Sequence, residues 1–403
     1  MDTGGKIRSY NLLKHLRSRN EVTLVTYYDG PADKEYEEKI TQQFPGAVTV
    51  NTGYSVTTFR QTLRYFRNVP STSPYAVAKF TSPQIQKLIS EWDRERRFDV
   101  FVCDFLSASL NFPTTLNTPT VLFQHNVESA LWERQAAHEP NLPKRLAFKL
   151  EAAKMTRYEH QAVNRFQHVI AVSEHDKDLM SKMTAPSRIS VVPTGVDLAN
   201  YAAVAGEGHN DGPPQVLFLG SMDWEANIDG VDYFCREVWP AVRAAVPDAK
   251  FLVVGRNPSP RVTRWSSDSV EITGRVESVL PYLRDAAVFV VPLRIGGGTR
   301  LKIYEAMAAG KAVVSTTIGA EGLDIHDGKD ILLADDEATF AKLVIELLVN
   351  HDKRKQLGAE AARLAARYDW PIIAIEFERI LAEAAKDQNS ERESVNEVTT
   401  VNA

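Results

Sequence analysis

Short apolar runs alternate with longer stretches of helical periodicity along most of the chain. Apolar runs of this length, bounded by turn residues, are typical of buried strands, and the stretches between them predict amphipathic helices. Strands that alternate with helices indicate βαβ units and parallel sheets, so the sequence predicts an α/β fold with two Rossmann-like halves. The predicted strands are EVTLVTYYD, FDVFVCDF, TPTVLFQHN, HVIAVSE and ISVVPTGVD in the first half, and VLFLGSM, AKFLVVG, SVEITG, AAVFVVPL and KAVVSTTIG in the second.

Changes in composition divide the chain into segments. Residues 201–215, YAAVAGEGHNDGPPQ, are rich in glycine, proline and polar residues and predict a linker. An N-terminal domain is then expected over 1–200 and a C-terminal domain over 216–370. A helix over 371–386 is expected to return toward the N-terminal domain. The composition of 387–403 is polar and acidic, which predicts a disordered tail.

The first residues, MDTGGKIRSYNLLKHL, predict a glycine loop that leads into an amphipathic helix. In a doubly wound domain a central first strand delivers such a loop to the ligand crevice, but no strand precedes it here. Two outcomes are open: either the neighbouring strands close up into an atypical sheet, or the true start lies roughly ten to fifteen residues upstream of Met1. We favour the second, because Gly4 and Gly5 would otherwise lie on a fraying terminus.

Bulk composition narrows the class of protein. The 403 residues, 44% of them hydrophobic and 25% charged, are ordinary globular material and enough for two domains. The sequence has no apolar run long enough to span a bilayer and no signal-peptide pattern, which favours a cytoplasmic protein. Cys103 and Cys235 lie in different halves and in apolar surroundings, so we expect neither a disulfide framework nor a cysteine zinc site.

Charge is shared unevenly between the halves. Residues 1–200 hold 25 basic and 21 acidic side chains, whereas residues 201–403 hold 22 and 31. The net charge of -5 argues against a nucleic-acid partner. Two basic, aromatic-bearing segments, Thr57 to Pro70 and Pro143 to Tyr158, predict a peripheral contact with anionic lipid at the inner face of the cell membrane. Two ordinary solvated helices are the alternative.

A glycine-rich stretch, VPLRIGGGTRLKIYEAMAAGKAVVS, predicts an anion site. Its helix begins with Arg300 and Lys302, although cations at a helix N-terminus oppose the macrodipole by ~0.3 to 1 kcal/mol each. With Thr299 as the N-cap, the first N–H groups of the helix would point at a ligand, and Gly296 to Gly298 would allow close approach. A diphosphate would meet both cations there, and a solvated basic turn is the alternative.

The spaced motifs DTGGKIRSYNLLKHL, FQHNVES, VIAVSE, VVPTGVD, FLGSMDWEANIDG and GGGTRLKIYEAMAAGKAVVSTTIGAEGL together resemble the group 1 glycosyltransferases, the large retaining family four with the GT-B fold. In that family two Rossmann-like domains close on a nucleotide sugar, with the nucleotide on the C-terminal domain and the acceptor on the N-terminal one. The resemblance implies transfer of a hexose to an acceptor hydroxyl of a saccharide or lipid-linked acceptor, in polysaccharide or glycoconjugate biosynthesis. It implies neither a metal nor a cofactor.

The resemblance also assigns residues to the donor. Glu305 would accept hydrogen bonds from the ribose hydroxyls, and Arg300 and Lys302 would replace the basic pair that the family carries after the first strand of its C-terminal domain. Family members place a first glutamate where this chain has Gly297, so the contact with the transferred sugar is open. The implied donor-binding set is Gly220, Ser221, Gly297, Gly298, Thr299 and Glu305.

In the first half, His125 is expected beside the donor sugar, with Asp104 at the end of the preceding strand. Gly4 and Gly5 are expected to present N–H groups to the phosphate or the acceptor. A structural histidine, a strand-end cap and a simple turn are the respective alternatives. Three rival functions are a sugar-nucleotide epimerase, a non-catalytic donor-binding partner and a two-domain scaffold. The sequence has no Walker loop and no nucleophile elbow, which argues against a nucleotide hydrolase of the P-loop type and a serine hydrolase.

Overall fold

Two compact units make up the computed structural model, which describes residues 4–28, 31–51, 58–202, 204, 212–296 and 300–401. The N-terminal unit combines residues 9–192 with the chain from Ala374 onward. The C-terminal unit combines Pro193 to Ile373 with the described residues up to Arg8. Both are layered α/β units with parallel sheets, so the predicted fold class is confirmed.

The N-terminal unit holds six parallel strands in two separate sheets. Its strands are β1 Val25–Tyr28, β2 Val48–Asn51, β3 Phe101–Asp104, β4 Thr120–Phe123, β5 His168–Ala171 and β6 Ile189–Val191. Its helices are α1 Gly4–Leu16, which it holds from Ser9 onward, α2 Lys34–Gln43, α3 Thr58–Asn68, α4 Tyr75–Ala78, α5 Pro83–Arg94, α6 Glu128–His138, α7 Leu142–Arg165 and α8 Glu174–Met180.

The two sheets divide where a doubly wound domain has its first strand. β1 pairs with β2, and the other sheet runs β3-β4-β5-β6. Among the described residues β1 and β3 do not pair, so the outcome in which the neighbouring strands close up is not observed. A shared apolar cluster lies beneath both sheets, with Val50, Phe101 and the buried face of α5 at its centre.

The C-terminal unit has one sheet in the order β12-β11-β10-β7-β8-β9, which is the doubly wound order with all its strands parallel. Its strands are β7 Gln215–Leu219, β8 Lys250–Val254, β9 Val270–Gly274, β10 Val288–Val291, β11 Ala312–Ser315 and β12 Leu332–Leu333. Its helices are α9 Leu198–Ala202, α10 Glu225–Tyr233, α11 Trp239–Ala245, α12 Pro260–Thr263, α13 Leu280–Asp285, α14 Leu301–Ala308, α15 Glu337–Val349 and α16 His351–Ala365.

Helix α17, Trp370–Val401, ends the described chain. From Ala374 onward it belongs to the N-terminal unit, where Phe377 packs against Phe123 with ring centroids 5.0 Å apart. Glu378 accepts hydrogen bonds from Arg19 and Asn20 at 2.6 and 2.7 Å. No described helix combines the length and the apolar character needed to cross a bilayer.

All ten predicted strands are present, but several boundaries differ from the sequence predictions. The predicted glycine loop is wrong, because α1 already begins at Gly4. Glycine disfavours a helix by only about 1 kcal/mol relative to alanine, so a helix can begin at such a residue. Tyr201 lies in α9 and is buried, so helix replaces the start of the predicted linker; residues 203 and 205–211 lie outside the described residues. The tail predicted to be disordered from 387 continues α17, because its residues are compatible with the helix that precedes them.

Close approach between two backbones joins the ends of β7 and β8. A Cβ on Gly255 would lie 1.7 Å from the carbonyl oxygen of Gly220, far inside van der Waals contact. We therefore expect Gly255→Ala to lower the free energy of unfolding by roughly 3 kcal/mol, at the upper end of overpacking costs. Chemical denaturation measures the change. Gly212→Ala is the matched control, because a Cβ there meets nothing within 4 Å. Equal stability of the two variants would contradict the packing described for β7 and β8.

Candidate functional site

The sheet of the C-terminal unit changes winding direction between β7 and β10. Strands β8 and β9 lie on one side of this point, and β11 and β12 lie on the other. Ligands of doubly wound sheets bind outside the carboxyl ends of the strands at such a switch point. The chain leaves β7 at Gly220 and β10 at Pro292, so the loops that follow these residues form the candidate site.

Lys302 lies in the first turn of α14, and its side chain reaches the end of β7. Its Nζ donates a hydrogen bond to Asn227 Oδ1 at 2.9 Å and lies 4.3 Å from the ring centroid of Phe218. A Cβ on Gly220 would lie 2.8 Å from this Nζ, so the glycine provides the space that the ammonium occupies. Burial, and then the charge of Arg300, lower the pKa of Lys302 to about 7.

Arg300 occupies the N-cap position of α14, whose first helical residue is Leu301. The predicted Thr299 N-cap is therefore wrong, because the helix starts one residue too late for that threonine to cap it. Gly297, Gly298 and Thr299 themselves lie outside the described residues. The guanidinium of Arg300 is buried and lies 5.1 Å from the centre of the Trp224 ring, a cation–π geometry.

Gly296 lies in the loop that follows β10 and has φ +113°, a backbone conformation that favours glycine. A Cβ there would lie 3.0 Å from Nη2 of Arg300 and 3.3 Å from the Trp224 ring. The glycine thus lets the loop pass close to the Arg300 and Trp224 pair. Trp224 was not predicted, although its place in GSMDWEANIDG, in the loop that follows β7, could have pointed to it.

Glu305 lies one turn after Lys302 on α14 and accepts a hydrogen bond from the hydroxyl of Tyr201 on α9. Burial raises the pKa of Glu305, while the Tyr201 hydrogen bond and the Lys302 charge lower it. Burial, reinforced by Glu305, raises the pKa of Tyr201. Tyr201 was missed because sequence composition assigned it to the linker.

Ser221 follows Gly220 and is held in a small polar cluster. Its Oγ donates to Asp223 at 2.5 Å and accepts from Arg256 Nε at 2.8 Å. The hydrogen bonds that Asp223 accepts from Ser221 and Asn257 lower the pKa of its carboxyl. Arg256 directly follows Gly255 at the end of β8, and it places a further cation at the carboxyl edge of the sheet that the sequence analysis did not select.

The N-terminal unit brings His125 and Asp104 together. Nε2 of His125 lies 2.6 Å from Asp104 Oδ1, and Ser9 Oγ donates to Asp104 Oδ2 at 2.6 Å. The imidazole stacks on Phe105 with ring centroids 3.8 Å apart and is only 3% exposed. Phe105 has φ +71°, an uncommon conformation outside glycine, and this turn is what presents its ring to His125.

A buried glutamate fixes the turn that follows His125. Glu159 of α7 accepts hydrogen bonds from the backbone N–H groups of Glu128 and Ser129 at 2.8 and 3.0 Å, and also from Gln124 Nε2. It thereby caps the first turn of α6 from outside that helix. Burial and the neighbouring Glu159 raise the pKa of Glu128 to about 7.

The predicted site residues therefore fall into two groups. In the C-terminal unit the structure brings Gly220, Ser221, Arg300, Lys302 and Glu305 to one edge of the sheet. In the N-terminal unit it joins His125 to Asp104. Gly4 and Gly5 form the first turn of α1, which also carries Ser9.

Known families match both parts of the chain. Residues 213–350 match the group 1 glycosyl transferases, and residues 3–200 match Glycosyltransferase Family 4. An uncharacterized 44.6 kDa protein from the cps region of Klebsiella pneumoniae is 25% identical over 280 residues, 66% of this chain and 69% of that protein. The phosphatidyl-myo-inositol mannosyltransferase of Mycolicibacterium smegmatis is 27% identical over 270 residues, 60% of this chain and 69% of the relative.

Solved structures agree on the fold. Anabaena HepE in complex with UDP and glucose has a TM-score of 0.66 at 14% identity, over 95% of this chain and 98% of its own. Sucrose-phosphate synthase from Thermosynechococcus elongatus has a TM-score of 0.69 at 17% identity, over 94% of this chain and 93% of its own. Since two family matches cover most of the chain and the neighbours share its architecture, this protein belongs to the group 1, family 4 glycosyltransferases and has the GT-B fold.

Proposed function

We propose that this glycosyltransferase moves a hexose from a nucleoside diphosphate sugar to an acceptor hydroxyl, with retention at the anomeric carbon. The observation that carries the proposal is the pair of neighbouring cations, the buried Arg300 and the half-buried Lys302, at the start of α14 beside the switch point of the sheet. Two neighbouring cations repel each other and oppose the helix dipole. A diphosphate offsets both effects, because it brings two negative charges next to the two cations.

The same cations serve the chemistry. The bond between the anomeric carbon and the diphosphate oxygen breaks, the acceptor oxygen bonds to the same face of the sugar, and its proton passes to the departing diphosphate. Negative charge grows on the leaving group during this step, and preorganised cations and N–H dipoles stabilise it. Glu305, held by Tyr201, is proposed to accept the ribose hydroxyls of the nucleotide.

Relatives support a glycan or lipid-linked acceptor. One comes from a Klebsiella cps region, one is a phosphatidyl-myo-inositol mannosyltransferase, and the Xanthomonas campestris relative is a GDP-mannose:cellobiosyl-diphosphopolyprenol alpha-mannosyltransferase. We propose that this chain also acts in polysaccharide or glycoconjugate biosynthesis. The roles of Gly220, Ser221, Gly297, Gly298 and Thr299 in donor binding, and of Gly4 and Gly5 near the phosphate or acceptor, are part of the same proposal.

Removal of either cation tests the diphosphate site. We expect Arg300→Ala and Lys302→Ala each to weaken nucleotide-sugar binding or slow transfer ten- to a hundredfold, the loss of about 1.5 to 3 kcal/mol from a charge-assisted contact. Calorimetric titration with UDP-glucose and GDP-mannose measures binding, and a radiolabelled-sugar assay measures transfer. Lys329→Ala removes an exposed charge from the same unit and is expected to change neither. Wild-type affinity and turnover in both site variants would contradict the proposal.

The paired Asp104 and His125 are proposed to act on the sugar rather than on the nucleotide. Asp104→Asn keeps the size of the side chain but removes the charge that orients the imidazole. We expect turnover to fall about tenfold, as for loss of one charge-assisted hydrogen bond, while the affinity for the nucleoside diphosphate stays constant. Asp99→Asn, at an exposed position before β3, is the control. Turnover equal to that of the control would leave Asp104 and His125 without the proposed role.

We also propose that α3 and α7 form a lipid-facing surface. Lys154 Nζ of α7 donates to the carbonyl of Asn68 at the end of α3 at 3.1 Å, so the two helices are adjacent. Leu142, Leu146 and Leu150 recur at four-residue spacing on α7 and are exposed, and Leu63 and Phe66 of α3 are exposed as well. Basic residues flank them at Arg64, Arg67, Lys144, Arg145 and Lys149. Apolar side chains rimmed by cations fit an anionic bilayer surface.

Vesicle co-sedimentation tests this surface. We expect the protein to pellet with vesicles that contain phosphatidylglycerol, less so as salt rises, and not with pure phosphatidylcholine. Phe66→Glu combined with Leu146→Glu should abolish pelleting, because both side chains are largely exposed and their exchange leaves the core intact. Val349→Glu makes the same kind of change at an exposed position of α15 and should have no effect. Sedimentation that is independent of anionic lipid and salt would favour two ordinary solvated helices.

A further inference from the structure

Asn227 lies in the first turn of α10, is 3% exposed, and uses both ends of its side-chain amide. Oδ1 accepts the hydrogen bond from Lys302 Nζ at 2.9 Å, and Nδ2 donates to the carbonyl of Ser221 at 2.8 Å. A Cβ on Gly220 would lie 2.7 Å from Nδ2, so the amide is packed tightly against the end of β7. One side chain thus ties the ammonium of α14 to the loop that follows β7.

The hydrogen-bond acceptor of the half-buried Lys302 ammonium is a neutral amide. The charged groups that face Lys302 from its own helix are Arg300 and Glu305. The packed elements offer Asn227 from α10 and the Phe218 ring from β7, while the Tyr201 hydroxyl from α9 is bonded to Glu305. Within the described residues no carboxylate makes an ion pair with Lys302. A carboxylate at position 227 would give the same geometry but would neutralise the cation and repel an anionic ligand.

We propose that Asn227 is the positioning residue for Lys302, which it holds at the carboxyl end of β7 while leaving the ammonium charge for the diphosphate of the donor. This inference rests on the proposed function, and it names a residue that keeps the Lys302 charge available to the donor. The hydrogen bond to Oδ1 of Asn227 orients the Lys302 ammonium. The hydrogen bond from Nδ2 to the Ser221 carbonyl fixes the orientation of the amide itself.

A pH profile separates this role from a merely structural one. Because the pKa of Lys302 is lowered to about 7, its charged form is complete below that pH and is lost as the pH rises through it. A nucleotide sugar keeps both phosphate charges over this range. Wild-type affinity is therefore expected to fall roughly tenfold between pH 6 and pH 8, with a midpoint near 7. Lys302→Arg should remove this midpoint, since a guanidinium stays charged throughout.

Two substitutions of Asn227 should move the midpoint in opposite directions. Asn227→Asp places a negative charge beside the ammonium, which raises the midpoint above the wild-type value and weakens binding about tenfold at pH 6 through competition with the diphosphate. Asn227→Ala removes the acceptor, which lowers the midpoint and weakens binding about tenfold at pH 7. Asn350→Asp, at an exposed N-cap where aspartate caps equally well, is the control with unchanged affinity and midpoint.

The measurement is calorimetric titration of the full chain with UDP-glucose and GDP-mannose from pH 6 to pH 9, with unfolding temperatures taken for every variant. Opposite shifts of the midpoint in the two Asn227 variants support the inference. A wild-type midpoint in whichever variant folds, even with reduced affinity or stability, overturns it and leaves the proposed function intact. Failure of the wild-type protein to bind either nucleotide sugar overturns both.

Discussion

Electrostatic repulsion between Arg300 and Lys302 is the constraint around which the C-terminal unit is arranged. Both cations are held at the start of α14, Arg300 buried and Lys302 half-buried, where the helix dipole opposes their charges and where burial and the charge of Arg300 lower the pKa of Lys302. The Trp224 ring lies against the Arg300 guanidinium, and the Asn227 amide accepts a hydrogen bond from the Lys302 ammonium. The two charges repel each other, and the diphosphate that we propose as ligand would relieve this repulsion.

Backbone spacing makes this arrangement sterically feasible. Gly255 lets the end of β8 touch Gly220, and Gly220 in turn leaves room for the Lys302 ammonium. Because these glycines lack a side chain, the backbones and the ammonium can approach each other closely at the switch point of the sheet. In the N-terminal unit, hydrogen bonds position the candidate site residues. Asp104 bonds to His125, and Glu159 accepts hydrogen bonds from the turn that follows His125.

Most of the strands could be predicted from the sequence. Buried parallel strands appear as short apolar runs, and the local pattern alone identifies them. Two strands were missed: β2, in which only Val50 is buried, and β12, which is two residues long, so neither gives a clear apolar run. Helix ends were less predictable. Thr299 is a good capping residue by type, yet α14 starts at Leu301, since the position of a helix start depends on how the preceding loop leaves β10. The two adjacent glycines, Gly4 and Gly5, predicted a loop, but both lie in α1.

The sequence by itself determined the α/β class, the order of strands along the chain, the family, and the presence of two cations after a glycine loop. Periodicity and short motifs are local properties, so they are available without the fold. Only the tertiary structure decided which groups face those cations. Asn227 is 75 residues from Lys302, and Tyr201, which bonds Glu305, lies in another helix altogether. Side-chain hydrogen bonds act over about 3 Å, so their partners are chosen by packing across elements that the one-dimensional pattern does not relate.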